Sequence, residues 1–197
     1  QGSMAARSMT LKMCCAAGVR AARPSCQRPL SYPGLSVHPA APTRRGRRRA
    51  ARWALLTAMR PYFDFVLRDT AAGMGAPFTA AAAVADTALL VLTPDPVALR
   101  DGRIVADWLL RGSRPQSAVR LVMNRITRES FGKRASVFDL DECIDTVGVQ
   151  LLAVIPESRE LQRAGALGTV PPPHDPAVIA GQAMARRLCG QRVPLTL

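Results

Sequence analysis

Residues 62–73 read YFDFVLRDTAAG, and they end in a carboxylate placed where it could do chemistry. Phe63, Phe65, Val66 and Leu67 form an apolar, β-prone run. Asp69 follows, and then a Thr and small residues release the backbone into a turn. The pattern predicts a strand over 62–68 that delivers Asp69 to its C-terminal edge. Open α/β sheets bind ligands at that edge, and a carboxylate there can serve a divalent metal. A core strand that happens to end in an Asp turn fits the same residues.

Three further apolar runs end in the same manner. The run 87–92 (TALLVL) stops at Thr93-Pro94, 119–123 stops at Asn124-Arg125, and 151–155 stops at Pro156-Glu157. Helical patterns fall between and around them: 53–59, 77–84, 97–110, 139–147 and 175–189. The 97–110 segment has apolar residues at 97, 98, 104, 105, 108 and 109, one face of a helix. The last helix has Pro176 in its first turn, Arg186 and Arg187 in its last, and Gly190 after it. Strands separated by helices imply right-handed βαβ units, hence a parallel sheet covered on both faces. The fold class expected is a three-layer α/β parallel sheet of the Rossmann-like type. Four polar strand ends then share one edge, a stronger signal for a ligand site than any one of them. Each residue keeps a plainer reading. Asn124 could cap a turn, Glu157 could cap a following helix, and Arg100 and Asp101 could be a solvated pair.

The charge is unevenly spread. Of 27 Lys and Arg, 12 lie in residues 1–63, where no acidic residue occurs. Residues 64–197 hold the other 15 basic residues and all 14 acidic ones, so their net charge is only +1. A basic overall balance of +13 therefore says little about nucleic acid binding by the folded part. Nucleic acid is a partner only through Arg44, Arg45, Arg47, Arg48 and Arg49. Residues 1–50 show neither strand alternation nor a sustained helical stripe. Three readings stand: a disordered basic tail, an organellar transit peptide, or sequence outside the natural reading frame. Gln1-Gly2-Ser3 before Met4 resembles a cloning remnant. The domain division expected is thus 1–50 and 51–197.

The five cysteines (Cys14, Cys15, Cys26, Cys143 and Cys189) include no C-x₂-C pair, and the histidines are His38 and His174. This supports neither a zinc site nor a disulfide framework, and a reducing compartment is the default. No run reads as a transmembrane helix: 71–85 is uncharged but mostly Ala and Gly.

The strand ends, in their order and spacing, resemble the MinD branch of the MinD/ParA family of P-loop ATPases. The likeness covers FDFVLRDTAAG (63–73), VADTALLVLTPDPVALRDGRI (84–104), VRLVMNRI (119–126), VGVQLLAVIPES (147–158) and ARRLCGQRVPL (185–195). It implies a P-loop NTPase fold, here without its first strands, and ATP and Mg²⁺ as cofactors. It makes Asp69 the catalytic and metal carboxylate, and makes Thr70 to Gly73 a switch that senses the γ-phosphate. Ala71 stands where the family usually has Pro, which loosens that switch. By the same likeness Asn124, with neighbouring Arg125, meets the adenine edge, and Pro156 and Glu157 line the base pocket. Arg100 and Asp101 fall in a helix start used for dimer and partner contacts.

One part of the family pattern is not in this sequence. ATP chemistry needs a Gly-rich loop whose amides and lysine cradle phosphates and whose hydroxyl meets Mg²⁺. The only lysines are Lys12 and Lys133, and neither lies in such a loop. The nearest candidate, Ala16-Ala17-Gly18-Val19-Arg20, lacks the lysine and the hydroxyl. The expectation is a truncated or degenerate ATPase of septum placement, weak or inactive alone. Two alternatives are a non-catalytic pseudo-ATPase for partner binding or dimerisation, and a basic-tailed binder of nucleic acid or anionic membrane. Partners implied are a homodimer and a division-site regulator; a basic amphipathic helix for membrane docking does not precede Leu197. The compartment implied is the cytoplasm, at the inner face of the membrane, or a plastid if 4–50 is a transit peptide.

Overall fold

Proline and acidic or hydroxyl side chains start the helices of this chain, and short apolar runs make its strands. The computed structural model describes residues 13–16, 35–38, 58, 60–70, 73–111, 114–127 and 139–195. It divides into two units, Gln1–Val84 and Ala85–Leu197.

The first unit holds three parallel strands, β1 (Met13–Ala16), β2 (Leu35–His38) and β3 (Phe65–Leu67), in the order β2-β1-β3. Met13 lies opposite both Leu35 and Phe65, so the C-terminal ends of β1 and β3 reach one edge. Helix α1 (Ala76–Ala82) follows, with Pro77 in its first turn, where a missing N–H costs nothing. The sequence pattern gives no strand before residue 62, yet β1 and β2 lie there. Strands this short are defined by their partners, not by alternation along the chain. The helix expected over 53–59 falls almost wholly outside the described residues.

The second unit holds β4 (Ala88–Leu92), β5 (Val119–Ile126) and β6 (Leu151–Pro156), parallel and in that order. Its helices are α2 (Pro96–Leu110), α3 (Leu140–Val147), α4 (Arg159–Leu167) and α5 (Pro176–Leu188). Each begins on a side-chain cap that takes up an otherwise orphaned amide. Asp95 accepts from Ala98 N at 2.9 Å, and Asp139 from Glu142 N at 2.8 Å. Ser158 accepts from Leu161 N at 2.9 Å, and Asp175 from Ala177 N at 2.8 Å. The left-handed glycines Gly148 and Gly168 end α3 and α4.

The core lies against β5. Val119, Leu121 and Met123 are fully buried, as are Leu99 and Ala106 of α2 and Cys143 and Val147 of α3. Val122 points to the opposite face, where Leu152 and Ala153 meet Met184 and Leu188 of α5. The result is the three-layer α/β arrangement expected, with helices on both sheet faces. Gly102 lets α2 approach β4: a Cβ there would run into the end of the Leu92 side chain, at Cδ1. The sequence anticipates helix α4 only as one that Glu157 could cap; its cap is Ser158, and Gly168 marks its other end.

Candidate nucleotide edge

Parallel strands all point their C-terminal ends the same way. In the second unit those ends are Thr93 to Asp95 after β4, Asn124-Arg125 within β5, and Pro156-Glu157 at β6. Their carriers are the buried strands just described, so the edge is held by the core and not by loops alone.

The β5 end departs from regular strand geometry. Met123 pairs with Val154, but Ile126 pairs with Pro156, so β5 has one extra residue there. Arg125 takes it up at φ +56°, the one described non-glycine residue with positive φ. A left-handed non-glycine costs about 1–2 kcal/mol, and bulges of this kind gather beside functional sites. The bulge is fastened across the sheet: Glu157 N donates to Ile126 O at 2.9 Å. Asn124 is half-buried, and its carboxamide meets no hydrogen-bond partner among the described residues. A carboxamide offers both donors and an acceptor, which suits the paired donor and acceptor of a base edge. Pro156 is half-buried, and exposed Glu157 accepts from Gln162 Nε2 at 3.3 Å. Thus the structure brings Asn124, Arg125, Pro156 and Glu157 to one sheet edge.

Asp69, Thr70 and Gly73 belong to the first unit. Asp69 and Thr70 follow β3 and are exposed, and Gly73 has φ +94°, a conformation that favours glycine. No group of three or more His, Cys, Asp or Glu among the described residues could hold a metal ion. Mg²⁺ prefers six oxygens and commonly takes one or two carboxylates, with phosphate and water completing the shell. Asp69 fits such a supporting role and does not form a metal centre by itself.

Two hydrogen-bonded caps flank the edge, and the sequence reading did not single them out as site features. Thr93 Oγ1 donates to Asp95 Oδ2, which with the Ala98 amide holds the Asp95 carboxyl below the usual range. Ser158 Oγ donates to Asp175 Oδ2 at 2.5 Å while accepting from Leu161 N, so one hydroxyl links the starts of α4 and α5. That bond, foremost, lowers the Asp175 carboxyl; burial opposes it, and the Ala177 and Val178 amides and His174 assist. The signal in the sequence was the Pro-Glu-Ser and His-Asp-Pro context of two helix starts. Arg100 and Asp101 lie exposed on α2, between exposed Val97 and Ile104.

No family model matches the chain. Among curated relatives, the septum site-determining protein MinD of Bacillus subtilis is 33% identical over 144 residues, 72% of this chain and 53% of that protein. The chain thus spans about half the length of the relatives it matches, 53% for the first. In a solved MinC:MinD cell division protein complex from Aquifex aeolicus, one chain superposes with a TM-score of 0.72 at 26% identity, covering 83% of this chain and 66% of that one. MinD complexed with Mg-ADP from Pyrococcus horikoshii superposes with a TM-score of 0.63 at 23% identity, covering 80% and 64%. No helix among the described residues is long and apolar enough to cross a membrane. With the parallel sheet, the strand-end motifs and these relatives in agreement, the chain is a MinD-like member of the MinD/ParA family.

Proposed function

We propose that this chain is a MinD-type adenine-nucleotide module of division-site placement, with little or no ATP turnover on its own. The observation that carries the reading is the bulged Asn124-Arg125 end of β5, tied to Glu157 and presenting an unpartnered carboxamide. Asn124 reads the base, Pro156 and Glu157 wall the pocket, and Arg125 sits at its rim. Asp69 supports Mg²⁺ beside the phosphates, with Thr70 and Gly73 as the segment that responds to them. When bound, Mg²⁺ would neutralise charge on the phosphate oxygens. Support for nucleotide and metal comes from the Pyrococcus horikoshii relative, which holds Mg-ADP.

Turnover is weak in this reading because the sequence has no Gly-rich loop with lysine. Phosphoryl transfer depends on electrostatic contacts to the phosphates; for scale, one oriented oxyanion donor in acyl transfer is worth about 2.7–4 kcal/mol. That same gap favours the second reading, a non-catalytic module that binds a partner or dimerises. A MinC-like regulator is the partner class, since a MinD relative is found in complex with MinC.

Calorimetric titration of the full chain with Mg-ADP and Mg-ATP tests the proposal. The expected result is saturable adenine-nucleotide binding, weakened about tenfold or more by Asn124→Ala, the usual cost of a lost ligand hydrogen bond. Phosphate release should stay near the no-protein rate. Equal affinity for guanine nucleotides, or binding indifferent to Asn124→Ala, would overturn the base-edge assignment. Turnover abolished by Asp69→Ala would overturn the inactive assignment.

A further inference from the structure

Among the described residues, Asp175 is the one polar or charged side chain that is buried, and it lies outside the residues assigned to nucleotide. It precedes α5, and its carboxylate serves two elements. Oδ1 accepts from the Ala177 and Val178 amides at 2.8 and 3.4 Å, which caps α5. Oδ2 accepts from Ser158 Oγ at 2.5 Å, 17 residues away in sequence. One oxygen suffices for a helix cap, so the second reaches another helix.

That helix is α4, and its packing holds it only lightly. Ala164 is its one buried residue, and Arg159 to Gln162 of its first turn are exposed. By contrast, α5 packs Met184 and Leu188 against Leu152 and Ala153 of β6. The Ser158–Asp175 bond therefore ties a lightly seated helix to a firmly seated one. Hydrogen bonds to a carboxylate are about twice as strong as neutral ones. Ser158 Oγ also accepts from Leu161 N at 2.9 Å, so the bond fixes the direction in which α4 starts.

The tie stands beside the site. Glu157 immediately precedes Ser158, and its N–H donates to Ile126 O at 2.9 Å. Its carboxylate accepts from Gln162 Nε2 at 3.3 Å, and Gln162 is in the first turn of α4. How Gln162 meets Glu157 thus depends on how α4 starts, and that start depends on Asp175.

We propose that Asp175 is a positioning residue for the adenine pocket, acting through Ser158 to fix the first turn of α4 and with it the Glu157 wall. This role rests on the reading of Asn124, Pro156 and Glu157 as the base site. Asp175 itself makes no contact with nucleotide in this role. A wall fixed before the base arrives loses less freedom on binding.

The test uses the full chain with Asp175→Ser, Asp175→Asn, Ser158→Ala and Ser158→Thr. Serine caps helices well, but one hydroxyl cannot serve both α5 and Ser158, so Asp175→Ser keeps the cap and drops the tie. Ser158→Thr keeps the hydroxyl. Amide deuterium exchange in α4 is read without nucleotide, and Mg-ADP and Mg-GDP affinities are read by calorimetry, with Asn124→Ala as the control for the base site. Asp175→Ser should speed α4 exchange about threefold or more while β5 stays protected. It should also weaken Mg-ADP about fivefold, as Ser158→Ala should, and narrow the preference over Mg-GDP. Ser158→Thr should behave as the unaltered chain. A merely less stable fold weakens both nucleotides alike and leaves their ratio unmoved. An unmoved ratio in Asp175→Ser and Ser158→Ala, with Asn124→Ala still costly, would overturn the positioning role alone. So would unchanged α4 exchange in Asp175→Ser. If Asn124→Ala is also without effect, the base site itself fails and the role falls with it. Should Asp175→Ser lose its far-UV circular dichroism, Asp175→Asn decides on the same two readouts, since it keeps the cap and turns the acceptor facing Ser158 into a donor.

Discussion

Leu99, Leu121, Met123 and Val147 of the unit Ala85–Leu197 are fully buried, while the buried side chains described in Gln1–Val84 are Ala80, Ala81 and Ala82. The strands differ as well: β1, β2 and β3 have 4, 4 and 3 residues, against 5, 8 and 6 for β4, β5 and β6. Large apolar side chains bury more area and make more contacts, so among the described residues most of the apolar burial lies in the second unit. The difference bears on the candidate site. Asn124, Arg125, Pro156 and Glu157 stand on the second unit, whereas Asp69, Thr70 and Gly73 stand on the first. The edge bearing Asn124 and Glu157 is thus seated on strands with large buried side chains, whereas exposed Asp69 and Thr70 follow a three-residue strand.

Replacement of Met123 by Ala should have the largest effect, a loss of about 2–5 kcal/mol through transfer and cavity terms. Ala81→Gly in α1 should cost only about 1 kcal/mol. Urea unfolding followed by circular dichroism measures both, and equal losses would erase the contrast between the units. Gly102→Ala comes next, at about 1–3 kcal/mol, because its Cβ would meet Leu92 Cδ1. Adding Leu92→Ala should recover part of that loss, a coupling read from a double-mutant cycle.

Arg125→Gly sharpens the comparison from the other direction. Glycine relieves a left-handed backbone, so stability should rise by up to about 1 kcal/mol. A loss instead would mean that the Arg125 side chain supports the edge by contacts that outweigh the backbone cost. Asp69→Ala should leave the urea midpoint almost unmoved, within about 0.5 kcal/mol, as for exposed surface positions. On the role proposed for Asp69, its effect is expected in the Mg²⁺ dependence of nucleotide binding.

The smallest effect expected is a shift in acid unfolding. Asp175 has a folded-state carboxyl lowered mainly by the Ser158 hydroxyl. A lowered carboxyl stabilises the fold above its unfolded value, and that contribution is lost as pH falls through the folded value. Ser158→Ala removes the main cause, so its acid transition should begin at higher pH than that of the unaltered chain. Identical transitions from pH 5 to pH 2 would show that the hydroxyl link does not set the Asp175 titration.

Much of the second unit was legible in the residues. The runs 87–92, 119–123 and 151–155 became β4, β5 and β6, because buried parallel strands are nearly all apolar. The helix expected over 97–110 is α2, whose stripe and Asp95 cap are local signals. β5 runs three residues past the expected end because its bulge lets Asn124 and Arg125 stay in the strand. α4 was legible only as a helix that Glu157 could cap: Leu161 and Leu167 are exposed, so no buried stripe delimited it. β1 and β2 were illegible for a different reason, since four-residue strands in a stretch without alternation exist only through their neighbours.

Residue order alone sets the apolar runs, the helix starts and the polar residues that terminate the strands, since these follow from local chemistry. It also shows no Gly-rich, lysine-bearing loop within these 197 residues. Which strands pair, the φ of +56° at Arg125, the Ser158 link between two helix starts and the reach of Arg187 to Leu152 emerge only in the fold. Those features depend on register and on contacts between residues far apart in sequence. Local propensity carries no record of either.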